Sequence, residues 1–112
     1  MKNPEADLQR TIVGWLAGEE WLGRLRYFHV PNGGKRGVVT AMNMKRIGVR
    51  AGVPDLVILS SDGRAMFCEL KGPKGSMNDA QKDWRAWLET RFPWHEIRSL
   101  DEMKKAVLGF LA

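Results

Sequence analysis

Val53-Pro54-Asp55-Leu56-Val57-Ile58-Leu59-Ser60-Ser61-Asp62-Gly63-Arg64-Ala65-Met66-Phe67-Cys68-Glu69-Leu70-Lys71 reads as two β-strands and the turn between them. Residues 55–60 and 64–71 are apolar, β-prone runs, and Ser61-Asp62-Gly63 is a hairpin signal. Both runs are apolar on both faces, so the sheet they form has to be covered on both sides. C-terminal to them, Gly72-Pro73-Lys74-Gly75 is a loop, Ser76 is a candidate N-cap, and residues 77–91 follow as a helix with Ala80, Gln81, Trp84, Trp87 and Leu88 on its inner stripe. Residues 94–98 form a short strand. Ser99 and Glu102 then suit a capping box for a last helix with Met103, Ala106, Val107, Phe110 and Leu111 at helical spacing.

N-terminal to the hairpin, Pro4 opens a helix whose first turn holds Glu5 and Asp7 and whose stripe is Leu8, Ile12, Val13 and Leu16. Residues 25–30 have strand composition, Pro31-Asn32-Gly33-Gly34 is a loop, and residues 38–47 suit a short helix closed by Gly48. The order helix, strand, helix, strand, strand, helix, strand, helix predicts an α/β fold with a mixed central sheet flanked by helices. At 112 residues the chain has room for one domain, spanning 1–112.

No apolar run approaches the roughly 20 residues that cross a bilayer, and the N-terminus lacks a signal-peptide apolar region, so no membrane partner is expected. Cys68 is the lone cysteine, which excludes an intrachain disulfide and fits a reducing cytoplasm, or the host cytoplasm for a viral chain. Most of the five tryptophans are expected in the core or a subunit interface. The net charge of +5 is uneven: between Trp21 and Pro54 there are seven Lys or Arg residues and no Asp or Glu. That segment suits a polyanion, and Lys35, Arg36, Lys45, Arg46 and Arg50 are candidate phosphate contacts.

Glu69 and Lys71 lie two residues apart on one strand, so both side chains leave the same face about 7 Å apart, with Cys68 and Leu70 on the other. Hydrolysis of a phosphodiester needs neutralisation of a pentacovalent anionic transition state and a nucleophile. Two carboxylates, Asp55 and Glu69, with the carbonyl of Leu70, suit a hard Mg²⁺ or Mn²⁺ ion, and Lys71 suits orientation of the attacking water. Gln81 falls on the helix stripe beside them. The site depends on the turn. A two-residue turn at Asp62-Gly63 would pair Asp55 with Leu70 and put the two acids on opposite faces, whereas a three-residue loop with Gly63 in the left-handed region, or a bulge near Pro54, sets Asp55 opposite Glu69. His29 fits a packed or loop-bonded imidazole better than a metal ligand, and Cys68, facing away from Glu69, a core filler.

Pro54-Asp55 followed by Glu69-Leu70-Lys71 resembles the PD-(D/E)XK nuclease signature. With Pro31-Asn32-Gly33-Gly34, the run from Gly48 to Leu56 and the later Gln81, it is similar to the VRR-NUC (virus-type replication-repair nuclease) branch in its minimal stand-alone form. The resemblance implies a restriction-endonuclease-like core and a divalent-metal nuclease in which Asp55 and Glu69 bind metal and Lys71 assists water. It also implies that Glu5 adds a carboxylate beside the metal and that Gln81 is the helix glutamine of the site. It further implies a homodimer acting on branched DNA as a Holliday-junction resolving endonuclease. Two other readings fit the residues: a non-catalytic DNA-binding module that keeps the fold, and an assembly protein whose basic face meets an acidic partner.

Overall fold

The structure, a computed structural model, describes residues 3–31 and 38–112. Its elements are α1 (Pro4–Trp21), β1 (Leu25–His29), α2 (Val38–Arg46), β2 (Leu56–Ser60), β3 (Ala65–Leu70), α3 (Asp79–Leu88), β4 (Trp94–Ile97) and α4 (Leu100–Leu111). The strands form one sheet in the order β1-β2-β3-β4, antiparallel through β3, with β4 parallel to β3. The expected mixed sheet with flanking helices is therefore present.

Strand alternation divides the sheet into two different faces. Leu56, Ile58, Met66, Cys68, Leu70 and Ile97 are buried under Ile12 and Leu16 of α1 and Met103, Val107 and Phe110 of α4, which together make the core. Burial pushes the Cys68 thiol up to about 12, so it stays neutral there as a packing group. The opposite face carries Asp55, Val57, Phe67, Glu69 and Lys71. Buried Leu88 closes the C-terminal end of α3, and Phe92 meets Phe67 edge-on with ring centroids 5.2 Å apart.

The turn between β2 and β3 sets the geometry of everything that follows. Leu59 pairs with Ala65, Ser60 N–H donates to Arg64 O at 2.9 Å, and Gly63 has φ +90°. This is the three-residue loop, with glycine in the left-handed region that side chains disfavour. Continuing the register from Leu56↔Cys68 by one residue sets Asp55 opposite Glu69 on the same face.

One expectation needs correction. Helix α3 is capped by Asn78, not Ser76: the Asn78 side chain accepts from Gln81 N–H at 2.9 Å, and Gln81 Oε1 accepts from Asn78 N–H at 3.0 Å. Both Ser and Asn cap helices well, and the reciprocal bond available only to Asn78 decides between them. Of the tryptophans expected in the core or a subunit interface, Trp15 packs against the core cluster. Trp15, Trp84 and Trp94 are half-buried, while Trp21 and Trp87 are 86% and 51% exposed.

Residues 47–54 lead into β2 and brace α3. A Cβ at Gly52, where φ is +84°, would lie 2.4 Å from the Ala80 carbonyl carbon and 2.6 Å from its oxygen. Both obstacles are backbone, so Gly52→Ala is expected to lower stability by about 2–4 kcal/mol, combining the left-handed strain with overpacking. Chemical denaturation checks this, and a loss under about 0.5 kcal/mol would contradict the close approach.

Candidate active site

The polar side chains of the second sheet face converge at its C-terminal end on β3. Asp55, just before β2, accepts a hydrogen bond on Oδ2 from Leu70 N–H at 2.7 Å. This bond aims its carboxylate at the end of β3, where it lies within hydrogen-bonding reach of the Glu69 carboxyl. The N–H and C=O of one antiparallel strand residue leave on the same edge, so the Leu70 carbonyl is directed toward the Asp55 side as well.

Glu69 and Lys71 are buried, with side chains 3% and 8% exposed, and Lys71 Nζ lies 3.8 Å from Glu69 Oε1. Gln81 bridges them: its Nε2 donates to Glu69 Oε1 at 2.6 Å and its Oε1 accepts from Lys71 Nζ at 2.9 Å. The same Oε1 closes the capping box at Asn78, so the start of α3 and the acid–lysine pair are fixed by one amide. The amide orients both charged groups at once.

Burial first, then the charge of Asp55, pushes the Glu69 carboxyl up to about 8. Burial also raises Asp55, opposed by its hydrogen bond from Leu70 and by the charges of His29 and Lys71. Two carboxyls held together in a desolvated site repel when both are ionised and retain a proton between them. This donor set, all hard oxygen and over-supplied with negative charge, fits a small divalent cation. Asp55, Glu69 and the Leu70 carbonyl are the groups that would hold it.

Glu5 stands nearby without joining the pair. Its charge adds to the upward push on Glu69, and a Cβ at Gly72 would lie 3.5 Å from Glu5 N, which places the start of α1 against the loop after Lys71. Among the described residues, no group of three or more His, Cys, Asp or Glu side chains is arranged to hold a metal.

His29 Nδ1 donates to the Asp55 carbonyl at 2.8 Å, a loop bond that steadies the residue bearing the first carboxylate. Lys45, Arg46 and Arg50 are exposed, and Lys35 and Arg36 lie outside the described residues, as does most of Pro31-Asn32-Gly33-Gly34. One contributor escaped the sequence reading. The Arg98 guanidinium donates to Gly72 O at 2.8 Å, to Gly75 O at 2.9 Å and to Glu96 Oε1 at 2.7 Å, which ties down the loop leaving Lys71. The available signal was Glu96 and Arg98 two apart on a strand, legible only once β4 is known to run parallel beside β3.

Comparison with known proteins gives the family and the fold. The VRR-NUC domain model matches residues 3–99. A solved structure described as a VRR_NUC domain protein superposes with TM-score 0.71 at 19% identity, over 98% of this chain and 89% of that one, which shows a shared fold. No curated protein gives a significant match. Among the described residues, no helix is long and apolar enough to cross a membrane. With the family model covering most of the chain, the protein belongs to the VRR-NUC domain family, a nuclease-type domain.

Proposed function

We propose that residues 1–112 act as one divalent-metal-dependent DNA endonuclease domain that hydrolyses phosphodiester bonds in branched DNA, as a homodimer resolving four-way junctions. The observation that carries this reading is the buried cluster of Asp55, Glu69, Lys71 and Gln81 on one sheet face. A bound Mg²⁺ or Mn²⁺ would supply Lewis acidity toward the scissile phosphate and lower the pKa of water.

The chain's own residues do the rest. Asp55, Glu69 and the Leu70 carbonyl bind the cation, and Glu5 adds negative charge beside them. Lys71 Nζ orients the attacking water and faces the negative charge that develops on the phosphoryl oxygens, at a position fixed by Gln81 Oε1. Gln81 Nε2 holds the Glu69 carboxylate in place for the ion. Lys45, Arg46 and Arg50, with Lys35 and Arg36, hold duplex arms by sequence-independent contacts to phosphate. Two symmetric cuts in a four-way junction need two sites related by a two-fold axis, which is the physical reason for a dimer. A buried, neutral Cys68 with no disulfide partner suits work in the cytoplasm.

The test is incubation with end-labelled linear, flap and four-way DNA in Mg²⁺, Mn²⁺ or chelator, with sedimentation to give the subunit number. Metal-dependent products with preference for branched substrates are expected. Binding without cleavage at any metal concentration would instead identify a DNA-binding module that has kept only the fold.

A further inference from the structure

Beyond the carboxylate cluster, α3 and the segment before β2 enclose a cleft of about 320 Å³ lined by Arg50, Asp83, Trp84 and Trp87. The Arg50 guanidinium lies 5.2 Å from the centre of the Trp84 ring, and that of Arg91 lies 4.1 Å from Trp87. Arg91 is anchored there by donating to Trp87 O at 2.7 Å. Trp87 is 51% exposed, a large ring left in solvent beside cations on a protein of net charge +5.

The cleft lies further along α3 than the active-site residue Gln81. Gln81, which touches Glu69 and Lys71, precedes Trp84 by three residues and Trp87 by six on the same helix. At 1.5 Å per residue these rings stand only about 5 and 9 Å further along the α3 axis. A strand whose phosphate sits at Lys71 therefore has its neighbouring nucleotides within reach of the cleft.

We propose that this cleft binds an unpaired nucleobase of the DNA strand next to the cleavage site. The exposed Trp87 ring beside the half-buried Trp84, each with a guanidinium over one face, is a stacking surface that accepts any base through its π-face. The Asp83 carboxylate distinguishes the occupant: it repels a phosphate, whereas it accepts a hydrogen bond from an N–H on the edge of a base, such as the N3–H of thymine. The backbone on either side of that base would be held by the surrounding arginines. The inference builds on the nuclease reading and narrows its substrate to DNA with a single-stranded nucleotide near the cut, as flaps and opened junctions provide.

The test is binding without metal, so it stands apart from cleavage. Fluorescence anisotropy in chelator would compare the full chain and its Trp87→Ala and Trp87→Phe variants. The probes are a labelled oligothymidylate, the same strand built from abasic residues, and a blunt duplex. Trp87→Ala is expected to weaken oligothymidylate binding roughly tenfold, the effect of one lost base–aromatic stack. Duplex binding should be unchanged, and Trp87→Phe should keep affinity within about threefold. Wild-type chain should bind the abasic strand about tenfold more weakly, with no further loss in Trp87→Ala. Undiminished oligothymidylate binding by Trp87→Ala, an equal loss on duplex, or no single-strand binding by the wild type would each overturn the proposal. A chain that binds bases this way and cuts no DNA with any metal would overturn the nuclease reading alone.

Discussion

Replacing Lys71 by alanine is expected to lower the rate of metal-dependent DNA cleavage by about 10²–10³-fold while DNA binding in chelator stays within about threefold of wild type. The magnitude is that of removing one preorganised donor aimed at developing charge, about 3–4 kcal/mol of transition-state stabilisation. Removing a buried cation normally leaves its partner unpaired at great cost. Here the partner is Glu69, whose carboxyl already retains a proton up to about 8, so it stays neutral and the fold survives. Lys71→Met, which keeps the apolar stem that packs in the site, should lose cleavage equally. Single-turnover rates, anisotropy and thermal unfolding separate the three effects. A Lys71→Ala protein that cuts at the wild-type rate would remove Lys71 from the mechanism.

Glu69→Gln is expected to make the metal-free protein more stable and the metal-loaded protein inactive. The amide keeps the acceptor for Gln81 Nε2 and discards the charge that burial and Asp55 oppose. In the folded wild type this carboxyl is raised from 4.5 to about 8, so the native state holds a proton that the unfolded chain releases. Stability without metal therefore falls as pH rises from about 4.5, and the penalty is complete above about 8, where it reaches a few kcal/mol. Below 4.5 both states are protonated and the effect vanishes. Glu69→Gln should flatten this slope and be more stable than wild type at pH 8 in chelator. Added Mg²⁺ or Mn²⁺, which binds the folded state, should raise the unfolding temperature of wild type and not of the variant. Equal metal-induced shifts in both proteins would show that the ion binds elsewhere.

The parts of this site that were legible in the sequence are those set by local rules. Strand alternation puts Glu69 and Lys71 on one face, and the Ser61-Asp62-Gly63 loop fixes the register that brings Asp55 to them. What was not legible depends on contacts between elements. Ser76 and Asn78 are equivalent as caps until Gln81 is tied down by Glu69 and Lys71 from the sheet. Helical spacing puts Trp84 and Trp87 on a stripe with Leu88, but spacing does not say where cover ends, and only Leu88 is buried. Arg98 clamps a loop more than twenty residues earlier, through a strand pairing that periodicity cannot reveal. The place of Glu5 beside Gly72 likewise follows from how α1 crosses the sheet, not from the helix itself.

The proposed hydrolysis requires Asp55 and Glu69 to share one ion. Crystals grown with Mn²⁺ and measured at its absorption edge would locate it directly. One anomalous peak is expected about 2.0–2.3 Å from a carboxylate oxygen of each residue, at the distances of hard-cation coordination. A peak away from both carboxylates, in a protein that cuts DNA with Mn²⁺, would contradict it.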